Sequence, residues 1–304
     1  MKVSELLSKQ EIKYFTEKSD LQASWMFAFT WGSIFAIFTM AYLWTNPFMV
    51  LLAIVLLGGR QLALAILMHD CGHRVFFTSD WVNQFLGQWF ASKPILQDMP
   101  IFAKDHLIHH RAAGTTDDPD LNNYKNYPVT KASFKRKMLR DITGQTGIKL
   151  LAYVVMSAKG IFDPNKRQAA KPFAEMIFAN IVLAVVVSLL MSPWVYLLWF
   201  AALMTSYMVV IRIRQVAEHG AVPDLFHEDP RQHARTTIPS WWERMLMAPN
   251  YVNYHLEHHF MASVPCYRLA ELHQLLKMKG AYTDTRIFNK GYVEVVRHAI
   301  GAEA

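Results

Sequence analysis

Three short runs of this chain concentrate imidazole at helical spacing: His69-Asp70-Cys71-Gly72-His73, His106-Leu107-Ile108-His109-His110 and His255-Leu256-Glu257-His258-His259. A fourth stretch, Gln215-Val216-Ala217-Glu218-His219, adds one more. An α-helix turns once in about 3.6 residues, so side chains three and four apart project from one side. Each run is therefore a row of neutral nitrogen donors aimed at a common point. The nine histidines of these stretches exceed what one tetrahedral zinc uses, since such sites take four ligands. Two metal ions are the simpler reading. His227, His233, His273 and His298 stand alone and read as surface or interfacial residues.

Acidic neighbours fit a supporting role. A metal-bound imidazole usually donates its second N–H to a carboxylate or carbonyl, which fixes the tautomer and raises ligand basicity. Asp70, Asp117, Asp118, Asp120, Glu218 and Glu257 stand beside or just after ligand positions and suit that task. The plainer reading of Asp117-Asp118-Pro119-Asp120 is a turn or helix cap. Cys71 lies two residues from each of His69 and His73, off their helical face, and reads as packing.

Imidazole suits zinc, copper, iron and nickel alike. Zinc would fit a hydrolase, or a zinc-binding membrane receptor or transporter, but the ligand number is excessive for it. A transporter places its polar ligands near the bilayer midplane on broken helices. Here the donors sit outside the apolar segments. Two irons at the mouth of a lipid-accessible cavity fit better, because such a centre can use O2 to attack an aliphatic C–H bond.

The elements that must carry these residues are apolar. Of 304 residues, 53% are hydrophobic and 13% aromatic. Runs at about 25–45, 48–68, 173–191 and 193–211 each match a hydrocarbon core of roughly 30 Å at about 1.5 Å per helical residue. Uncharged turns at Asn46-Pro47 and Ser192-Pro193 join them in two hairpins. The rest is rich in Lys and Arg: Lys2, Lys9, Lys13 and Lys18, then Lys131, Lys135, Arg136, Lys137, Arg140, Lys166, Arg167 and Lys171, with Arg212 and Arg214 closing the fourth run. The positive-inside rule then puts both termini and the central segment on the cytoplasmic side, with every histidine run beside them. Residues 1–304 read as one all-α membrane domain: four transmembrane helices carrying a cytoplasmic helical cap, 69–172 and 212–304, that holds a dimetal site.

Smaller features follow. Net charge +7 and a pI near 9.3 reflect those basic loops, and nucleic-acid binding is discounted. Cys71 and Cys266 form no disulfide framework. The first twenty residues lack a secretory pattern and read as an amphipathic surface segment with Leu6, Leu7, Ile12, Tyr14 and Phe15 at the interface. Stretches at Phe85–Leu96 and Leu150–Met156 are too short to span and read as interfacial helices, with Trp81, Trp89 and Phe90 at headgroup depth, as do Trp241 and Trp242. Arg60, inside the second run, either pairs within the bundle or serves a substrate channel.

The order of the three runs, and their placement after the second and fourth apolar segments, resembles the membrane fatty acid desaturase superfamily, which includes acyl-lipid and sphingolipid desaturases and carotenoid hydroxylases and ketolases. His109-His110-Arg111-Ala112-Ala113-Gly114-Thr115-Thr116-Asp117-Asp118-Pro119-Asp120-Leu121 and Asn253-Tyr254-His255 agree with it. The resemblance covers about Trp25 to His273. It implies two irons held by His69 and His73, by His106, His109 and His110, by His255, His258 and His259, and by His219. Gln215 matches an amide that holds a metal through water. It also implies O2 as co-substrate, a long acyl lipid as substrate and a separate electron donor, a ferredoxin or cytochrome b5-like protein, since no His-Pro-Gly-Gly haem segment is present. The three-residue spacer in the first run is closer to the acyl-lipid and sphingolipid branches than to the acyl-CoA branch. A hydroxylase, ketolase or oxidative decarboxylase on the same centre is the competing expectation.

Overall fold

A computed structural model describes residues 3–158, 167–282 and 287–301. Lys2, Lys166 and the side chain of Arg167 lie outside the described parts. Longer helices are numbered along the chain; single-turn helices are left unnumbered. Lys9–Thr16 (α1) is followed by the first apolar hairpin, Asp20–Leu43 (α2) and Pro47–Gly72 (α3). The Ser19 hydroxyl accepts the amide of Gln22 at the start of α2. Asn46 caps α3 by accepting from the amide of Met49, with Pro47 in the first turn, where a missing N–H costs nothing.

Asp80–Leu86 (α4) runs into a π-helical turn at Gly87–Ser92, and Met99–Ala112 (α5) carries the second histidine run. Lys131–Ile142 (α6) and Gln145–Ser157 (α7) precede the second hairpin. That hairpin is Arg167–Leu190 (α8), Pro193–Met204 (α9) and Ser206–His219 (α10). Thr205, with φ −125° and ψ −83°, breaks the regular path between α9 and α10. Trp241–Leu246 (α11), His255–Phe260 (α12), Cys266–Met278 (α13) and Gly291–Ala299 (α14) complete the chain. Among the described residues the β-structure amounts to two isolated bridges, Thr236 with Tyr254 and Thr237 with Phe288.

Among the described residues, four helical segments are long and apolar enough to cross a membrane: 20–43, 47–72, 170–190 and 193–219. The last continues past 211, where the sequence suggests an end, because α10 stays helical to His219 and packs on α3, α6 and α14. Helix α3 is the axis of the bundle. It packs on α2, α9 and α10, and 67% of its apolar window is buried against 17% for α8. At 26 residues it is about 39 Å long, more than the ~30 Å hydrocarbon core, so its last turns project beyond it. Gly58 and Gly59 allow this crowding: a Cβ at Gly58 would lie 2.8 Å from backbone atoms of Ser206 and Tyr207, and one at Gly59 2.9 Å from Leu246 Cα.

Polar fasteners join the bundle to the cap. Lys93, in the turn that follows the π-helical segment, is fully buried, with Nζ 2.6 Å from Asp98 and 3.0 Å from Glu175, tying that turn to α5 and α8. Asp141 on α6 accepts from the guanidinium of Arg212 on α10. The N-terminal segment departs from the expectation. Leu7 and Phe15 are buried in the core rather than facing lipid, while Lys279 holds the Leu6 carbonyl and Glu11, and Tyr14 Oη donates to Glu271. Polar contacts thus tie the N-terminal segment to α13 and the residue that follows it. Trp81, Phe85 and Phe90 around α4, and Ile148, Tyr153 and Met156 on α7, remain exposed, as do Trp241 and Trp242.

Candidate metal centre

The end of α3 delivers the first two imidazoles. His69 is in its last turn and His73 closes it, one helical turn on, with ring centroids 4.6 Å apart. On α5, His106 and His110 share a side, and their Nε2 atoms are 3.0 Å apart. His109 is rotated from them by the helical twist and faces a different neighbour. The short helix α12 mirrors this split. His258 Nε2 comes within 2.8 Å of His110 Nε2, whereas His259 Nε2 lies 3.2 Å from His109 Nε2. His219, at the end of α10, has Nε2 2.8 Å from that of His255.

All nine histidines of the sequence expectation converge, and they do so as two groups. His69, His73, His106, His110 and His258 form one; His109, His219, His255 and His259 form the other. Within each group the donor atoms lie within 4.8 Å of one another. Converging imidazole nitrogens cannot all share protons, since a neutral ring has one donor. A cation between them satisfies the lone pairs. The buried Nε2 of His73 has no hydrogen-bond partner in the protein, as a ligand position requires.

Burial, reinforced by neighbouring rings, holds His73 down to about 3 and His110 down to about 2. The same causes push His106, His255, His258 and His259 well below 6.5. These rings therefore stay neutral, which is the state that binds metal.

The outer nitrogens are held as well. His69 Nδ1 is 2.8 Å from Asp70 Oδ1, and the other Asp70 oxygen accepts the amide of Cys266 at 2.7 Å. His109 Nδ1 is 2.8 Å from Asp118 Oδ1, and Tyr124 Oη donates to Asp118 Oδ2. Burial pushes the Asp118 carboxyl up, yet hydrogen bonds from His109 and Tyr124 leave it below its usual range. His219 Nδ1 is 2.8 Å from the carbonyl of His233. Glu218 stands 3.5 Å from His255 Nδ1 and is paired at 2.5 Å with Arg214.

Other expected residues sit elsewhere. Asp120 is 3.9 Å from His109 and half-buried, Asp117 is exposed, and Gln215 is half-buried one turn before His219. Glu257 faces away from the ligands, accepting from Thr236 at 2.5 Å, His273 Nδ1 at 2.6 Å and Tyr282 at 2.5 Å.

Two lone histidines are not surface residues. His273 and His233 are 4% and 3% exposed. His273 shares the buried face of α13 with Leu269, Leu272 and Leu276, a spacing visible in the sequence. His233 sits in a single-turn helix, and nothing periodic marks it. His227 is exposed, and His298 is half-buried against Phe288. Cys71 and Cys266 are buried free thiols. Arg214, which the sequence suggests only as a flank of the fourth span, lines a narrow pocket with His69, His255 and His258.

The fatty acid desaturase family matches residues 44–289. Dihydrorhizobitoxine desaturase of Bradyrhizobium elkanii is 25% identical over 263 residues, covering 82% of this chain and 74% of that protein. An sn-1 oleoyl-lipid 12-desaturase of Picosynechococcus sp. (strain ATCC 27264 / PCC 7002 / PR-6) is 24% identical over 273 residues, covering 78% of this chain and 72% of the relative. An sn-1 acyl-lipid omega-3 desaturase (ferredoxin) of Nostoc sp. (strain 36) is 34% identical over 109 residues, 36% of this chain and 28% of its own length. With four spans, two histidine groups and a match over most of its length, the chain belongs to the membrane fatty acid desaturase family and is an oxidoreductase.

Proposed function

We propose that this protein desaturates the acyl chain of a membrane lipid, using O2 and electrons from a separate donor, at a pair of histidine-held irons. The observation that carries the reading is the division of nine imidazoles into adjacent groups of five and four. Nitrogens bonded at about 2.1 Å lie about 3.0 Å apart at right-angle coordination and about 3.4 Å apart in a tetrahedron. Four of these nitrogen pairs are 2.8 to 3.2 Å apart and the donors of each group lie within 4.8 Å, close enough for each group to hold one ion. Two irons, when bound, supply O2 activation and hydrogen removal from an unactivated C–H bond, which side chains alone do not provide.

The chain's own residues position and protect. Asp70, Asp118 and the His233 carbonyl hold the outer nitrogens of His69, His109 and His219, so that their Nε2 atoms face inward. Gln215 suits a further, water-mediated contact to the four-histidine group. The pocket beside His69, His255 and His258 measures about 20 Å3, room for roughly one water-sized molecule, and such closure keeps bulk water from a reacting carbon. Cavities of about 790 and 570 Å3 flank α2, and the smaller is lined almost wholly by apolar side chains such as Trp31, Phe35 and Phe178, as an acyl chain needs.

Residues 1–304 work as one domain in this reading, with the cap on the cytoplasmic face of an inner membrane. Exposed Lys131, Lys135, Arg136 and Arg140 on α6 support that side, and their charge suits an acidic donor. The Nostoc relative, named as a ferredoxin-type desaturase, favours a ferredoxin over a cytochrome b5-like protein. Relatives named for sn-1 acyl lipids favour a lipid substrate.

Purified protein should carry two irons per chain. With reduced ferredoxin, O2 and membrane lipid, mass spectrometry should record loss of two hydrogens from an acyl chain. Gain of an oxygen would instead select the hydroxylase or ketolase reading. Protein that purifies without iron, or that carries iron and leaves lipid unoxidised with a competent donor, would sink the proposal.

A further inference from the structure

The larger cavity, about 790 Å3, lies between α2, α3 and residues 241–251, away from the histidine groups. Its rim is exposed and aromatic: Trp25, Phe29 and Trp241 are 70%, 56% and 76% exposed. On a chain with membrane spans, such a rim opens toward lipid. Along α2 the lining runs from Gln22 to Ile37, sixteen residues spanning about 22 Å of helix. Apolar Ala36, Ile37 and Leu56 wall one end, and Gln22, Tyr251 and Tyr267 stand at the other.

Two guanidiniums belong to this wall, Arg60 from α3 and Arg244 from α11. Arg60 is only 9% exposed, and its Nη2 donates to the backbone carbonyl of Met245. A guanidinium carries five N–H donors, so most of its capacity is left over. Arg244 is exposed, with its guanidinium 5.9 Å from the ring centre of Tyr251. Among the described residues neither guanidinium has a carboxylate partner. A buried cation in a span, left without a counter-charge and lining a lipid-facing cavity, calls for an anion from outside the chain. Arginine meets phosphate through paired N–H donors.

We infer that this cavity binds an anionic phosphoglycerolipid taken sideways from the bilayer, its phosphate held by Arg60 and Arg244 and its chain lying along α2 and α3. The inference goes beyond the lipid-desaturase reading, since the apolar end at Leu56 lies farther along α3 from His69 than Arg60 does, and it names a lipid site apart from the reacting chain. Two stretches of chain join the site to the centre. Arg60 is nine residues, about 13 Å of helix, from His69 on α3. Tyr251 leads within four residues to His255.

Native mass spectrometry of the metal-loaded protein, released from mixed micelles, tests this without turnover. The probes are phosphatidylglycerol, a neutral galactolipid of equal chain length, oleate and inorganic phosphate. Phosphatidylglycerol should be retained at least tenfold more strongly than the galactolipid or oleate, with inorganic phosphate competing weakly. Arg60→Gln and Arg244→Gln should each reduce that preference several-fold. Arg244, being exposed, can be changed without opening the core, and retained metal content reports that both variants are folded. Equal retention of galactolipid, stronger retention of oleate, or an unchanged preference in folded variants would overturn the inference. Selective retention without O2-dependent oxidation supports this site while sinking the desaturase reading. Oxidation of neutral lipid without phosphate selectivity does the reverse.

Discussion

Asp118 clamps His109 from behind: one carboxylate oxygen lies 2.8 Å from Nδ1 of that imidazole, and the other accepts the hydroxyl of Tyr124. Replacing Asp118 with Asn keeps the shape but weakens the charge-assisted contact. Metal affinity should drop about 10–100-fold, the usual cost of losing an outer partner of a ligating histidine. Tyr124→Phe, which leaves Asp118 in place, should cost less. Metal content after dialysis against graded chelator checks the ranking, and equal losses in both variants would contradict it.

The ligand assignment separates histidines by position. His109→Ala and His258→Ala each remove a donor from a different group and should abolish turnover while cutting metal content by half or more. His298→Ala, at a half-buried ring against Phe288, should leave both nearly unchanged. Equal tolerance at all three positions would show the assignment to be wrong.

Lys93 sits between Asp98 and Glu175 with no exposure to solvent. Lys93→Ala leaves two carboxylates in that space without their cation, and breaking a buried ion pair this way costs about 3–5 kcal/mol. The triple change Lys93→Met, Asp98→Asn, Glu175→Gln should recover most of that loss, because no uncompensated charge remains. Denaturant melts in detergent measure both, and a triple variant as weak as the single one would refute the account.

Acid should unfold the metal-free protein selectively. His73 and His110 are held to about 3 and about 2 in the fold, against 6.5 when free. Between those values and 6.5 the unfolded chain binds more protons than the folded one, so stability falls as pH drops. Each histidine contributes a slope of up to about 1.4 kcal/mol per pH unit in that window. Melting temperatures of chelator-treated protein should therefore decline steadily below pH 6.5. Metal-loaded protein should resist until protons displace the ions. A flat profile for the metal-free form would contradict buried neutral rings.

Much of the centre is legible in the sequence because helical spacing is arithmetic: rows three and four apart face one way, and long apolar runs span. The division into groups is not legible. His109 and His110 are neighbours on α5 yet serve different groups, and only the docking of α12 and α10 decides which. Glu257 reads as support for a ligand, but a buried carboxylate takes whatever donors surround it, and here these are Thr236, His273 and Tyr282. Gly58 and Gly59 carry no chemistry in the sequence. Their value emerges only when α10 and α11 press against α3 from two sides.

Helices α5 and α12 each feed both histidine groups. Emptying one group therefore loosens the same two rods that grip the other. In the proposed dimetal reading the two ions would then be filled or lost as a unit, with half-loaded protein the least favoured state.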